Sequence, residues 1–305
     1  MLTAAAIEDE GAAALRSHGR TFHVAHRLLG SRAARGVHLL YGFCRYVDDA
    51  VDEATPEEGA RALAAIRADL TRGHSDVEAL QGYMLFRERH GVDDRITQEF
   101  LRGVEQDLHV TVYRTQRELD RYCYRVAGTV GLLMCALFGV DDPRALPFAV
   151  DLGLGMQLTN ICRDVLEDAE RGRVYLPQSV LGVDVTAERL AAREPDALAR
   201  ARTVVEDLLE RAECFYRSAD LGTPMLPARA RYAVLAASRT YEAIGARIRR
   251  FPAGGLPERA YVGASGKALH VLRGVAAGAL PRRGSPVHDA TLHTALRGLP
   301  GADPG

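Results

Sequence analysis

No hydrophobic run in the chain is long enough to cross a bilayer. The longest, Val130 to Val140, is 11 residues, against the roughly 20 that a spanning helix needs. Charge of one sign is also missing. The 39 basic and 40 acidic residues leave a formal net charge of −1, which removes the electrostatic case for a nucleic-acid partner or a polybasic membrane anchor. Cysteine is scarce and odd in number: Cys44, Cys123, Cys135, Cys162 and Cys214 show no CxxC or Cys/His metal spacing. Reduced thiols within apolar helical patterns are therefore expected rather than a disulfide framework. Glu8, Asp9 and Glu10 stand where a signal peptide would want basic and then apolar residues, so a cytoplasmic protein is expected. Alternating strand pattern is absent throughout, as are a strand-led GxGxxG, a P-loop and a nucleophile elbow. What remains is a 305-residue chain, 47% hydrophobic and 26% charged, enough for one large or two small globular domains with a sizeable core.

Two acidic stretches organise this chain. In Tyr41-Gly-Phe-Cys-Arg45-Tyr-Val-Asp48-Asp49-Ala-Val-Asp52, residues 41, 45, 48 and 52 step by 4, 3 and 4. At 3.6 residues per turn they share one helical face, with Asp49 at its edge. Val37, Leu40, Cys44, Val47 and Val51 supply an apolar side. In Gln157-Leu-Thr-Asn160-Ile-Cys-Arg-Asp164-Val-Leu-Glu-Asp168 the same geometry recurs, with Leu154, Leu158, Ile161 and Val165 on the apolar side. One such face could be no more than a solvated acidic surface. Two of them, with Arg, Tyr and Gln alongside, suit Mg²⁺ ions that complete their shells with diphosphate oxygens.

The rest reads as helix after helix: Ala60–Arg72, Asp76–His90, Thr97–Val112, a nearly all-round apolar Glu118–Gly139, Asp196–Ala219, Pro227–Arg250 and a basic Arg259–Leu272. Gly128 and Gly131 in the apolar helix, and Gly153 and Gly155 in the second acidic helix, cost ~1 kcal/mol each against Ala. Close helix packing and room for a long apolar ligand both account for them. Gly19-Arg20-Thr21 fits either a phosphate-contacting turn or an ordinary helix junction. Arg171-Gly-Arg173-Val-Tyr175-Leu-Pro177 is a basic exit from the second acidic helix, suited to capturing a diphosphate or to capping the helix C-terminus. The expected division is a flexible N-terminus over 1–12, a helical domain over 13–280 and a flexible, Gly- and Pro-containing tail over 281–305.

These segments resemble the squalene/phytoene synthase family, all-helical enzymes that join two prenyl diphosphates head to head. Phe43–Glu53 is similar to the family's first aspartate motif, Gly155–Pro177 to its second, and Tyr122–Gly131 to its central tyrosine- and glycine-containing helix. The likeness runs over roughly residues 15–270, in order and at matching spacing. It implies a single-domain all-α isoprenoid-synthase bundle around a central apolar cavity. By the same resemblance, Asp48, Asp49 and Asp52 would hold Mg²⁺ or Mn²⁺ on one diphosphate, and Asn160, Asp164 and Asp168 on the other. Arg20, Arg45 and Arg259 would bind diphosphate oxygens, with Thr21, Gln157, Arg163 and Arg173 also lining the substrate site. Tyr41, Tyr122, Tyr175 and Tyr241 match tyrosines around the leaving group or the carbocation. Gly19 departs from the family's Ser-x-Ser.

The implied reaction is the 1-1′ condensation of two geranylgeranyl diphosphates to phytoene through a cyclopropyl diphosphate, without NADPH. Behind it stand a farnesyl-using squalene- or dehydrosqualene-type synthase, prenyl transfer to an aromatic acceptor, and a non-catalytic helical scaffold. Such lipid-like substrates and products suit a peripheral membrane contact.

Overall fold

Capping residues and apolar stripes set where each helix begins and which face it buries. A computed structural model describes residues 29–52, 54–109, 112–252, 255–257 and 286–303. Arg20, Thr21, Arg259, the expected flexible N-terminus and the Arg259–Leu272 helix lie outside them. Helix α1 (Ser31–Asp52) carries the first acidic face. It is followed by α2 (Pro56–Arg72), α3 (Glu78–His90) and α4 (Asp94–Gln106). Thr55 separates α1 from α2 with a reciprocal cap: its Oγ1 accepts from the Glu58 amide at 3.3 Å, and Glu58 accepts from the Thr55 amide at 3.0 Å. Such a box stabilises a helix start by about 1 kcal/mol, and here it ends the turn directly after Asp52.

The apolar segment from 116 to 138 is one continuous helical run with a changed pitch in the middle. α5 (Gln116–Cys123) passes into a π turn at Tyr124–Gly128 and then into α6 (Thr129–Phe138). α7 (Leu146–Glu170) carries the second acidic face. Two short helices follow, α8 (Gln178–Leu181) and α9 (Ala187–Ala191), then the long α10 (Pro195–Gly222) and α11 (Ala228–Arg249). Among the described residues there is no strand, only an isolated parallel bridge between Val112 and Val174. The fold is all-α.

Each acidic helix is the spine of its own core. Leu40, Phe43, Val47 and Val51 of α1 pack with Tyr83, Phe86 and Phe100, and Phe43 stacks on Tyr83 with centroids 3.7 Å apart. Val150, Leu154, Leu158, Ile161 and Val165 of α7 pack with Val205, Leu209 and Phe215 of α10. Burying one face of each helix this way forces the acidic faces toward the boundary between the two cores.

The interior glycines serve close packing at two positions. A Cβ on Gly131 would lie 2.3 Å from the Ala149 carbonyl oxygen, and one on Gly153 would lie 2.4 Å from that of Ala127. The obstacles are backbone atoms, so the helices must separate to admit a methyl group. Gly153→Ala is expected to destabilise the fold by about 1–3 kcal/mol, read as a lower urea midpoint at unchanged slope.

The expectation of a flexible tail fails for residues 286–303. Leu296 and Ala302 are fully buried there, and His288 and His293 nearly so. The segment gave no helical period because it packs through a single 3₁₀ turn, Ala290–His293, and left-handed turns at Gly298 and Gly301.

Candidate active site

The α1 face presents its carboxylates in three different environments. Asp49 is exposed and turned toward Arg45, whose Nε donates to Oδ2 at 3.0 Å. Asp52 faces Arg173, with Nη1 3.5 Å from Oδ1. Asp48 lies between them, half-buried, and burial together with the charges of Asp52 and Asp107 pushes its carboxyl up to about 7. Tyr41, one turn before Arg45, has its phenol pushed up by burial, with Arg45 acting in the opposite sense.

On α7, Asp168 is pushed up to about 7 by burial and by the neighbouring Asp164 and Glu167, with Arg171 and Arg173 opposing. Asp164 is gripped by Arg163, whose Nε donates to Oδ1 at 2.8 Å while Nη2 meets Oδ2. Asn160 donates to Gln157 Oε1 at 3.3 Å, yet its own Oδ1 is buried with no protein donor. Tyr241 of α11 lies against Asn160, Arg163 and Asp164.

Gly172 connects the two faces. Its φ of +76° is open to glycine at little cost and turns the chain back sharply, so that the Arg173 amide donates to the Asp168 carbonyl at 2.9 Å. The same turn delivers the Arg173 guanidinium to Asp52 of α1. Arg173, Asp168 and Tyr175 line one crevice with Ile161, Val165 and Leu190. Arg173 is therefore a bridge between the acidic motifs and not only a helix cap.

At this junction the structure adds two residues that the sequence reading missed, Asp107 and Tyr113. Tyr122 Oη donates to Asp107 Oδ2 and Tyr175 Oη to Asp107 Oδ1, both at 3.0 Å. The rings of Tyr113, Tyr122 and Tyr175 cluster with centroids 5.0–5.7 Å apart. Backbone bonds from Gln178 to the Tyr113 carbonyl and from Ser179 to that of Arg114 hold the two segments side by side. Asp107 is pushed up to about 6 by burial, with Asp52 adding to it and the two phenols and Arg173 opposing. Its signal lay in the helical register: Phe100, Val104 and Asp107 step by 4 and 3, so an acid continues the apolar stripe of α4 at the residue that caps it. Tyr113 offered no such signal.

Asp48, Asp52, Asp107 and Asp168 outnumber the cations that face them, and the donor set is hard oxygen with a buried, partnerless amide oxygen among it. That is the chemistry of a divalent-cation site. Among the described residues the structure brings together Tyr41, Arg45, Asp48, Asp49 and Asp52 on one helix. Gln157, Asn160, Arg163, Asp164, Asp168 and Tyr241 gather on the other side, with Arg173, Tyr122 and Tyr175 at the junction. No helix among the described residues is long and apolar enough to cross a membrane.

Comparison with known proteins agrees with this geometry. The family model for squalene/phytoene synthase matches residues 15–265. A 15-cis-phytoene synthase of Enterobacter agglomerans is 37% identical over 75% of this chain and 81% of its own length. A phytoene synthase of Pseudescherichia vulneris is 37% identical over 79% of this chain and 82% of its own. Among solved structures, a dehydrosqualene synthase in complex with a ligand superposes with a TM-score of 0.79 at 25% identity, covering 90% of this chain and 96% of that one. The chain belongs to the squalene/phytoene synthase family, whose members are divalent-metal-dependent enzymes acting on prenyl diphosphates.

Proposed function

We propose that this protein condenses two geranylgeranyl diphosphates head to head into phytoene. The observation that carries this reading is the Arg173–Asp52 contact, which joins two acidic faces into one centre beside a carboxylate-bound pair of phenols. It is supported by the names of relatives at 33–37% identity.

Asp48, Asp49 and Asp52 would hold Mg²⁺ for one diphosphate, and Asn160, Asp164 and Asp168 for the other. Bound there, Mg²⁺ neutralises the charge that grows on each leaving diphosphate. Arg45 and Arg163, each now satisfied by a neighbouring aspartate, are placed to transfer their hydrogen bonds to diphosphate oxygens. Arg173 offers a third cation at the junction. Tyr122 and Tyr175 donate to Asp107, which leaves their phenol oxygens electron-rich and their ring faces toward neighbouring aromatic rings, a surface that tolerates an allylic cation while excluding water. Burial holds both phenols well above their usual range, so they stay protonated and uncharged.

In the reaction, C1 of one chain loses diphosphate and alkylates the 2,3 double bond of the other. Loss of one proton closes the cyclopropane. Loss of the second diphosphate, rearrangement and loss of a second proton give the C40 triene. No electrons are transferred, which is why NADPH is not required for this product. A peripheral membrane contact would let substrates and product partition into lipid.

The test is incubation of purified protein with Mg²⁺ and either geranylgeranyl or farnesyl diphosphate, with and without NADPH, followed by mass spectrometry of the extracted lipid. A C40 triene formed independently of NADPH is expected. A C30 product from farnesyl diphosphate alone would move the protein to the squalene or dehydrosqualene branch. Metal and diphosphate binding without any condensation would refute the head-to-head reading.

A further inference from the structure

The C-terminal segment 286–303 closes a buried charge cluster on α7 that uses none of the residues assigned above. Asp151 of α7 is fully buried. His288 Nε2 lies 2.8 Å from its Oδ2 and His293 Nε2 lies 2.8 Å from its Oδ1. His293 Nδ1 in turn is 2.6 Å from the Ala302 carbonyl oxygen. A carboxylate and a carbonyl only accept, so both nitrogens of His293 must carry protons. The ring is an imidazolium. His288 donates through Nε2 and leaves a buried Nδ1 without a protein partner. The imidazolium of His293 offsets the buried Asp151 carboxylate, as a dry interior requires of a buried charge.

This anchor fixes a segment whose backbone carbonyls grip the central helix. Arg121 donates to the Ala295 carbonyl at 3.0 Å, and Tyr124 Oη to the Pro300 carbonyl at 2.7 Å. Gly301 sits so close to Leu132 that a Cβ there would meet its side chain at 2.5 Å. Arg121 and Tyr124 bracket Tyr122, whose hydroxyl reaches Asp107. The bracketed residues span the entry to the π turn, a departure from regular helix that needs outside support to persist.

We infer that residues 286–303 form a positioning strap for the condensation reaction, anchored by protonated His293 on Asp151, that holds the π turn so that Tyr122 stays aimed at the Asp107 junction. The inference rests on the function proposed above and assigns that site a support from the C-terminal segment. Both His side chains contact the carboxylate directly, on separate oxygens, and their rings lie 4.4 Å apart. The same three side chains bring ligand atoms within 4.8 Å of one another, close enough for a metal ion, but the direct 2.8 Å contacts of both rings with the carboxylate are those of a hydrogen-bonded lock.

Other charged groups near the anchor are few. Asp303 faces His293 and reinforces its charge, Asp289 faces His288, and Ser218 of α10 bonds to Asp151. The sign of the pH dependence follows. His293 is raised above its ordinary value by Asp151 against the opposing effect of burial, so its contribution is complete below about pH 6.5 and is lost as pH rises through the folded-state value. The carboxyl of Asp151, buried but held low by the two imidazoles, loses its contribution only in acid.

The experiment uses the full chain and two variants outside the substrate site, Tyr124→Phe and His293→Gln. Hydrogen exchange of peptides covering 121–128 and 286–303 is read beside kcat and KM. Tyr124→Phe keeps the ring and removes only the bond to Pro300, so it should fold. It is expected to raise exchange in 121–128 and lower kcat by about tenfold, with KM within about twofold. His293→Gln is expected to release 286–303 and do the same, and wild-type protection of 286–303 should fall as pH rises above about 6.5, through the raised value of His293. Loss of protection in 286–303 with 121–128 and kcat unchanged would overturn the strap. So would stoichiometric zinc in the purified protein that is lost in His293→Gln, since the anchor would then be a metal and not a proton. If the wild type forms no hydrocarbon from any prenyl diphosphate, the proposed function fails, while the exchange results still judge the mechanical coupling by themselves.

Discussion

Asp48→Asn is expected to lower kcat/KM by about a hundred- to a thousandfold, a loss comparable to removing one electrostatic stabiliser of a developing anion, while making the metal-free protein more stable. The two effects have one cause. Asp48 is packed among Asp52, Asp107 and Asp49, and burial and those charges raise its carboxyl to about 7. A raised carboxyl is one whose ionisation the fold opposes, so the charge that serves the reaction works against folding. Asparagine keeps the shape and one accepting oxygen but removes the charge. The melting temperature of the metal-free variant should therefore exceed that of the wild type at neutral pH.

A pH dependence follows with a definite sign. Asp48 and Asp168 both titrate near 7 in the fold, well above the roughly 4 of an unfolded aspartate. Their contribution favours folding below pH ~4 and is progressively lost as pH rises to ~7. Metal-free protein should lose thermal stability over that window, and saturating Mg²⁺ should restore it by mass action on the folded state. Differential scanning calorimetry of wild type and Asp48→Asn, with and without Mg²⁺, measures all of this. If Mg²⁺ stabilises the variant as much as the wild type, Asp48 is not a ligand and the assignment on α1 falls.

The acidic faces were legible from spacing because helical periodicity places residues 41, 45, 48 and 52 together whatever the rest of the fold does. The apolar sides were equally legible: Leu40, Val47, Val51, Leu154, Leu158, Ile161 and Val165 are all buried as their register predicts. Helix ends were displaced by a few residues where a cap decided them, as at Thr55, whose hydroxyl draws α2 back to Pro56. Three things were hidden. The role of Gly131 and Gly153 depended on the neighbour each meets, which is a long-range fact. The segment 286–303 has turns and buried histidines but no helical period, and its Gly and Pro residues give it the composition of a loose tail. Asp107 was concealed because its partners, Tyr122 and Tyr175, stand 15 and 68 residues away. A lone acid on an apolar stripe announces that some partner exists without naming it.

Asp107→Asn is the sharper test of how the junction works. Asparagine can still accept from one phenol through Oδ1, but its Nδ2 is a donor and would face the hydroxyl of Tyr122 or Tyr175, which also donates. The phenol facing Nδ2 must give up its donated bond and accept instead, sending its proton elsewhere, and the negative charge that makes both phenol oxygens electron-rich is gone. The expected result is a fall in kcat of about a hundredfold or more, with KM for the prenyl diphosphate changed by less than about threefold, since the hydrogen bonds of Asp107 go to the phenols and it is not itself a proposed metal ligand. Tyr122→Phe and Tyr175→Phe in the Asp107→Asn background should then cost much less than they do alone, because groups that act as a unit are not additive. Product analysis adds a second readout. If the junction acts mainly after the first ionisation, the cyclopropyl diphosphate should accumulate in Asp107→Asn. Full activity in that variant, or strictly additive losses in the double variants, would mean that the shared carboxylate only holds the fold. The tyrosines would then have to act independently of it.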